Sequence, residues 1–337
     1  MTPTTTLTAR NPEDLLALVP IVLGFVPRDS VVMLTFGAAR PFHARVDLPT
    51  RPAEVPEVVQ ALLEPARRHR VRRAVFIVYA ADARAARTVG RPLERAFAEA
   101  GIDVIDVLRA DGNRWFTVLG RRPGVPAWGV PYDVSAHPFA AEAVVDGRVT
   151  HRSREELADS LRGDPGRVAA VAAAVTTAVT TAVAAAETAE AAPPGAPTDG
   201  GWGGTAAEME WVRQLVADHA VTGAAPGDAD VARLLVGLGD PLVRDAAWVA
   251  MSREAAREHV ELWTDVVRRS PPELLAAPAA LLGFAAWLSG QGALAWCAID
   301  RCRESAPDYP LAGMLAELLV HAVPPSAWEE GEAIDHA

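Results

Sequence analysis

The residues best suited to chemistry lie on the two arms of one predicted hairpin. A polar turn precedes the apolar run Val31–Phe36, and residues 42–48 then alternate between apolar and polar side chains. The alternation predicts a strand with one polar face, and the short connection predicts that the two strands pair antiparallel. The polar candidates in this region are Arg28, Asp29, Ser30, His43, Arg45 and Asp47.

Nucleophilic catalysis is the first chemistry to weigh. Pairing as a hairpin brings Ser30 near Asp47, and a serine, a histidine and an aspartate within reach of one another form a catalytic triad. His43, however, lies four residues from Asp47, about 13 Å at the usual strand rise, which is too far for one triad. The G-x-S-x-G elbow of serine hydrolases does not occur either.

Two other interpretations of these residues stay open. In one, Arg28 and Arg45, with Arg114 as a further member, bind an anion or a carboxylate. In the other, the charges are structural: the turn side chains hydrogen-bond backbone amides, and Arg45 and Asp47 form ion pairs across the sheet face or with Arg28. The second interpretation is the more usual use of turn aspartate and serine residues.

The rest of the chain offers few reactive groups. All 32 basic residues are arginine, which excludes a lysine Schiff base and the lysine of a P-loop. Dinucleotide-binding glycine motifs and EF-hand spacings are missing, and the eight histidines are scattered. Cys297 and Cys302 are five residues apart, a spacing that does not share one helix face. We expect no cofactor, no metal and two free thiols, as suits a reducing cytoplasm.

The charge distribution argues against nucleic acid and membrane partners. Residues 1–165 hold 22 arginines and 20 acidic residues, whereas residues 166–337 hold 10 arginines and 23 acidic residues. The basic cluster Arg67–Arg73 fits a phosphate contact or the cation-rich end of a helix, and no aromatic residue is interleaved with it. Val168–Ala186 is uncharged over 19 residues, but its Ala and Thr content favours an ordinary helix over a membrane span.

The first half of the chain alternates strand and helix patterns. After a helix that begins at Asn11, the elements follow in the order β-β-α-β-α-β-β. This order predicts an α/β fold, one mixed sheet with flanking helices. We assign residues 1–165 to this domain and residues 166–204 to an Ala/Thr-rich helix followed by a Pro/Gly linker.

The second half reads as helix throughout. Residues 205–325 form a predicted all-α domain, and residues 326–337 form an acidic tail. Within that domain, small residues and a proline follow the spacing of one tetratricopeptide helix pair: Leu282, Gly283, Gly290, Ala295 and Pro307. One unit predicts a helical hairpin with tetratricopeptide character and no solenoid.

Several stretches resemble one uncharacterised bacterial family, catalogued as domain of unknown function 4192. They are PEDLLALVPIVLGFVPRDSVVML (12–34), ARVDLP (44–49), SREEL (153–157), LLGFAAWLSGQGALAWCAIDRC (281–302) and PDYPLA (307–312). The resemblance covers nearly the whole chain except the Ala/Thr and Pro/Gly segment. It supports the architecture and implies no catalytic residue.

Two functions follow as hypotheses. The first is a cytoplasmic, non-catalytic interaction or scaffold protein whose helical domain docks a protein partner or self-associates. The alternative is a protein or enzyme that binds a small anionic molecule at the polar edge of the N-terminal sheet. The ligand-binding residues of this alternative are Arg28, Asp29, Ser30, Arg45, Asp47 and Arg114. The missing catalytic signatures favour the first.

Overall fold

The computed structural model describes residues 8–37, 42–120, 122–145, 148–191 and 204–328. The chain divides into two compact units, Met1–Arg154 and Glu155–Ala337. The predicted Pro/Gly linker lies outside the described residues except for Gly204, and the predicted acidic tail lies outside them after Trp328.

Within the described residues, the first unit contains one six-stranded sheet. Its strands are β1 (Ser30–Phe36), β2 (His43–Asp47), β3 (Arg73–Tyr79), β4 (Asp103–Asp111), β5 (Arg114–Thr117) and β6 (Val130–Pro131). The helices of this unit are α1 (Pro12–Leu23), α2 (Val55–Arg68), α3 (Ala83–Glu99) and α4 (Pro138–Val145), and a short 3-10 helix, Pro52–Glu54, precedes α2.

The strand order across the sheet is β2-β1-β3-β4-β5-β6. β3 and β4 run parallel because α3 carries the chain back between them, and the other neighbouring strands of this sheet pair antiparallel. This topology confirms the predicted mixed sheet and its element order. The sequence does not predict β6, because two residues inside a Pro/Gly-rich loop carry no strand pattern.

Helices cover both faces of the sheet. α2 and α3 pack on one face, and α1 packs on the other; we call these the α2/α3 face and the α1 face. In β3, Phe76 and Val78 pack on the α2/α3 face, whereas Val75 and Ile77 pack on the α1 face. The apolar part of β3, residues 74–79, is therefore buried on both sides, as its sequence predicts.

The ends of α1 are fixed by its own side chains and backbone. The Asn11 side chain accepts the backbone N–H of Asp14 at 2.9 Å, and the Asp14 carboxylate accepts the backbone N–H of Asn11 at 3.3 Å. This capping box starts the helix as predicted. At the other end, Gly24 takes a left-handed φ of 78° and donates its N–H to Pro20.

The second unit is helical. Its helices are α5 (Arg154–Asp159), which begins at the boundary, α6 (Pro165–Ala191), α7 (Thr205–Thr222), α8 (Asp228–Gly237), α9 (Pro241–Val249), α10 (Ala256–Arg269), α11 (Ala276–Leu288), α12 (Gly292–Ser305) and α13 (Pro310–Val320). In the described part of the chain, no helix has both the length and the apolar character needed to cross a bilayer.

α11 is the centre of the helical unit. Every residue from Pro278 to Leu288 is buried, and helices α9, α10, α12 and α13 pack around it. α11 and α12 form the predicted hairpin, with Gly290 in the left-handed region (φ 75°) of the turn. The face that a tetratricopeptide pair would offer to a ligand is thus covered by the chain itself.

Two histidines are buried in α7 and α10, which pack together. His219 is 6% exposed, and its Nδ1 lies 2.9 Å from the carbonyl oxygen of Ala224. His259 is 2% exposed, and its Nε2 accepts the backbone N–H of Ser252 at 3.1 Å. Burial lowers the pKa of His259 to about 4, and the neighbouring His219 acts in the same direction. The helical unit therefore packs around an uncharged His259.

Candidate functional site

The predicted hairpin forms, but it does not assemble a triad. Ser30 lies opposite Asp47, as expected for the antiparallel pair. Ser30 is fully buried, and its hydroxyl has no hydrogen-bond partner among the described residues, whereas the Asp47 side chain is 84% exposed. His43 lies opposite Leu34, four residues along the ladder from Ser30, which is about 13 Å. The hydroxyl, the imidazole and the carboxylate therefore do not meet.

The charged residues of this region are arranged separately. Arg45 Nη2 and Asp47 Oδ1 form an ion pair of 2.7 Å along β2. Asp29 has a left-handed φ of 42°, and its carbonyl accepts the N–H of Leu48 at 2.8 Å, which closes the end of the hairpin. Arg28 is exposed and makes no ion pair within the described part of the chain.

Arg114 lies far from this group. It is on β5, four strands from β2, or about 19 Å at the usual strand spacing. Its Nη1 donates to the carbonyl oxygens of Trp128 and Gly129 at 3.3 and 3.2 Å. The structure brings Arg45 and Asp47 together and separates both from Arg114.

A pocket of about 260 Å³ lies at the opposite end of the α1 face, where β3 and β4 begin. Its apolar wall continues the core under α1 and consists of Pro12, Leu15, Phe36, Val75 and Ile105. Its polar side chains come from four separate stretches of the chain and are Arg10, Asn11, Arg73, Asp106 and Arg122. The combination of an apolar wall with a few convergent polar groups is typical of small-molecule sites.

A β-bulge shapes the floor of this pocket. Ala74 pairs with Val104 and Val75 pairs with Asp106, so Ile105 is an extra residue in β4. Ile105 and Asp106 both line the pocket, whereas Val104 packs on the α2/α3 face. Bulges redirect side chains in this way next to binding sites.

The pocket carries more positive than negative charge. Asp106 Oδ2 accepts from Arg122 Nη1 at 2.8 Å, and Asp106 Oδ1 accepts the N–H of Val107 at 2.9 Å. Burial raises the pKa of Asp106, against the effects of Arg122 and of the Val107 amide. Arg10 and Arg73 make no ion pair with any described residue. Two guanidinium groups are thus open to an anion.

The start of α1 beside the pocket contributes little free hydrogen bonding. The Asp14 carboxylate accepts the backbone N–H of Arg10 at 2.6 Å and lies 3.2 Å from Nε2 of His137. Burial acts to raise the pKa of Asp14, but these contacts and the Asn11 amide together lower it. The cationic character of the pocket therefore comes from arginine side chains.

In the described part of the chain, no three His, Cys, Asp or Glu side chains are grouped closely enough to hold a metal ion. Cys297 and Cys302 are buried and do not form a disulfide.

The sequence interpretation missed this pocket because its polar residues are separated along the chain. Sequence patterns place Arg73 in the basic cluster Arg67–Arg73 and assign no role to Asp106. The available signal is Asp106, a carboxylate within the otherwise apolar run of residues 104–108. A buried strand carboxylate needs a partner, and here that partner is Arg122.

Comparison with known families gives one match. The family model described as Domain of unknown function (DUF4192) matches residues 12–326. The chain belongs to this family. The DUF4192 match spans both units and includes Arg73, Asp106 and Arg122, while Arg10 lies just before it. Neither a curated protein nor a solved structure matches the chain.

Proposed function

We propose that the first unit of this DUF4192 protein binds a small organic anion in the pocket lined by Arg10, Arg73 and Arg122. The observation that carries the proposal is the presence, at an apolar pocket of about 260 Å³, of two guanidinium groups that form no ion pair with any described residue. Arginine binds carboxylates and phosphates through paired N–H groups, and the apolar wall provides a contact for an uncharged part of the ligand.

The proposed ligand is a small anion, as in the alternative hypothesis from the sequence, but the proposed site differs from the hairpin that the sequence suggests. Arg45 and Asp47 are occupied by their mutual ion pair, whereas Arg10 and Arg73, at the pocket where β3 and β4 begin, form no ion pair with any described residue. The docking of a protein partner on the helical domain stays a prediction. It has less support, because α11 is enclosed by its own unit.

Arg73→Gln tests the proposal. The full-length protein is first screened by thermal shift against small carboxylates and phosphates, and the dissociation constants of stabilising compounds are measured by calorimetry. Loss of one charge-assisted hydrogen bond should weaken binding by roughly 10- to 100-fold in Arg73→Gln.

Arg91→Gln is the matched control, because Arg91 is an exposed arginine on α3 outside the pocket lining. It removes the same charge and should leave the dissociation constant unchanged. A screen without a stabilising anion, or equal weakening by both substitutions, would contradict the assigned site.

A further inference from the structure

Asp106 gives the pocket a feature that a simple anion does not need. It is the one acid among the described lining residues, and its side chain is 22% exposed. A bare anion would be repelled by this carboxylate, which lies on the same face as the apolar wall. A ligand that also carries a positive group would turn this repulsion into an attraction.

The carboxylate of Asp106 has room for such a group. An ionised carboxylate offers about four acceptor positions, and the described residues fill one on Oδ1, by Val107, and one on Oδ2, by Arg122. Burial disfavours the charged form of Asp106, so a second cationic donor would stabilise the charged form. An ammonium group, with three N–H donors, can use these acceptor positions.

The remaining groups fit the other parts of one small molecule. Arg10 and Arg73 both line the pocket and form no ion pair within the described part of the chain, so both guanidinium groups are available to a carboxylate. Leu15, Phe36 and Val75 offer an apolar contact beside these charges. A volume of about 260 Å³ is just below the roughly 300 Å³ at which sites for drug-sized ligands begin, which favours a single metabolite over a nucleotide or a peptide.

We propose that the ligand is a zwitterion, an α-amino acid with an apolar side chain. Its carboxylate binds Arg10 and Arg73, its ammonium group binds Asp106, and its side chain packs on the apolar wall. This inference rests on the proposed function, since it specifies the chemical class of the anion.

Matched ligand pairs test this inference on the unmodified protein. L-leucine is compared with 4-methylpentanoate and L-phenylalanine with 3-phenylpropanoate, because each pair differs by the ammonium group alone. Calorimetry at neutral pH should show that the amino acids bind roughly tenfold tighter or more, the scale of one charge-assisted hydrogen bond. Leucine methyl ester, which lacks the carboxylate, should bind weaker than leucine by a similar factor.

Asp106→Asn provides the second measurement. It keeps the shape of the side chain and removes its charge, so the preference for the amino acid over its desamino partner should disappear. Retention of that preference in Asp106→Asn, or equal binding of both partners by the parent protein, would overturn the zwitterion.

The two proposals fail differently. If the desamino acids bind the parent protein as tightly as the amino acids do and lose affinity in Arg73→Gln, the anion site is supported and the amino acid is excluded as its specific ligand. A parent protein that binds neither member of either pair would overturn the amino acid as ligand, and the broader screen of carboxylates and phosphates would then decide the anion site alone.

Discussion

The buried His259 makes the helical unit sensitive to acid. Its ordinary pKa is about 6.5, and burial lowers the pKa to about 4 in the folded chain. The unfolded chain therefore binds more protons than the folded chain between these pH values. The contribution of His259 to the free energy of unfolding is present above pH 6.5 and is lost as the pH falls towards 4. Between pH 7.5 and pH 5 this single group should lower the free energy of unfolding by about 2 kcal/mol.

His259→Gln isolates this contribution. Glutamine cannot titrate, and its carbonyl oxygen can still accept the N–H of Ser252. The variant should lose stability at pH 7.5 yet show a pH dependence smaller by about 2 kcal/mol across the same interval. Urea unfolding of the full chain, followed by tryptophan fluorescence, measures this, because seven of the nine tryptophans lie at or after Trp202.

Hydrogen exchange by mass spectrometry assigns the effect to a place. In the parent protein, protection of α10 should fall at pH 5 after correction for the intrinsic exchange rate. His321→Gln, in which an exposed histidine after α13 is replaced, should keep the acid sensitivity of the parent because His259 remains. An unchanged pH dependence in His259→Gln would refute the reasoning from burial.

Three further predictions concern glycine positions, the buried cysteines and the buried Arg109. Gly163→Ala should destabilise the helical unit by about 2 kcal/mol or more in urea unfolding, because the Cβ of the new alanine would lie 1.8 Å from the carbonyl oxygen of Arg268. Gly313→Ala should instead stabilise α13 by about 0.5–1 kcal/mol, because nothing lies near the Cβ added there. Burial raises the pKa of Cys302 to about 12, so native protein at pH 8 should resist iodoacetamide, and intact mass should show two labels only after unfolding. Arg109→Met should lower the free energy of unfolding by about 3–5 kcal/mol, because this 6%-exposed arginine bonds a carboxylate and two carbonyl groups at the ends of β3 and β4. A decrease of less than about 1 kcal/mol would contradict that role.

Local patterns predict most of the elements of this fold. Alternation in residues 42–48, continuous apolar runs in β1 and β3, and the Asn11 cap each specify one structure through nearby residues. The two-residue β6 and the bulge at Ile105 escape such reasoning, because both depend on pairing with a neighbouring strand.

The pocket depends on topology to a greater degree. Arg10, Arg73, Asp106 and Arg122 become neighbours because α1 lies over the end of β1 and because β3 and β4 begin at the same edge. Periodicity assigns each of these residues to an element, but it does not state which elements adjoin. The hairpin charges are easier to group from the sequence because they are close along the chain, and the same closeness lets Arg45 pair with Asp47.

The extra residue in β4, Ile105, changes which side chains of this strand face each side of the sheet. In an uninterrupted strand, Val104, Asp106 and Leu108 would point the same way, since alternation has a period of two. Ile105 shifts the phase: Val104 joins the core under α2 and α3, whereas Asp106 and Leu108 face α1. Without the phase shift, Val104 would point towards Arg73 and take up space beside Asp106. The hollow at this edge thus exists because one inserted residue sends a valine to the opposite side of the sheet.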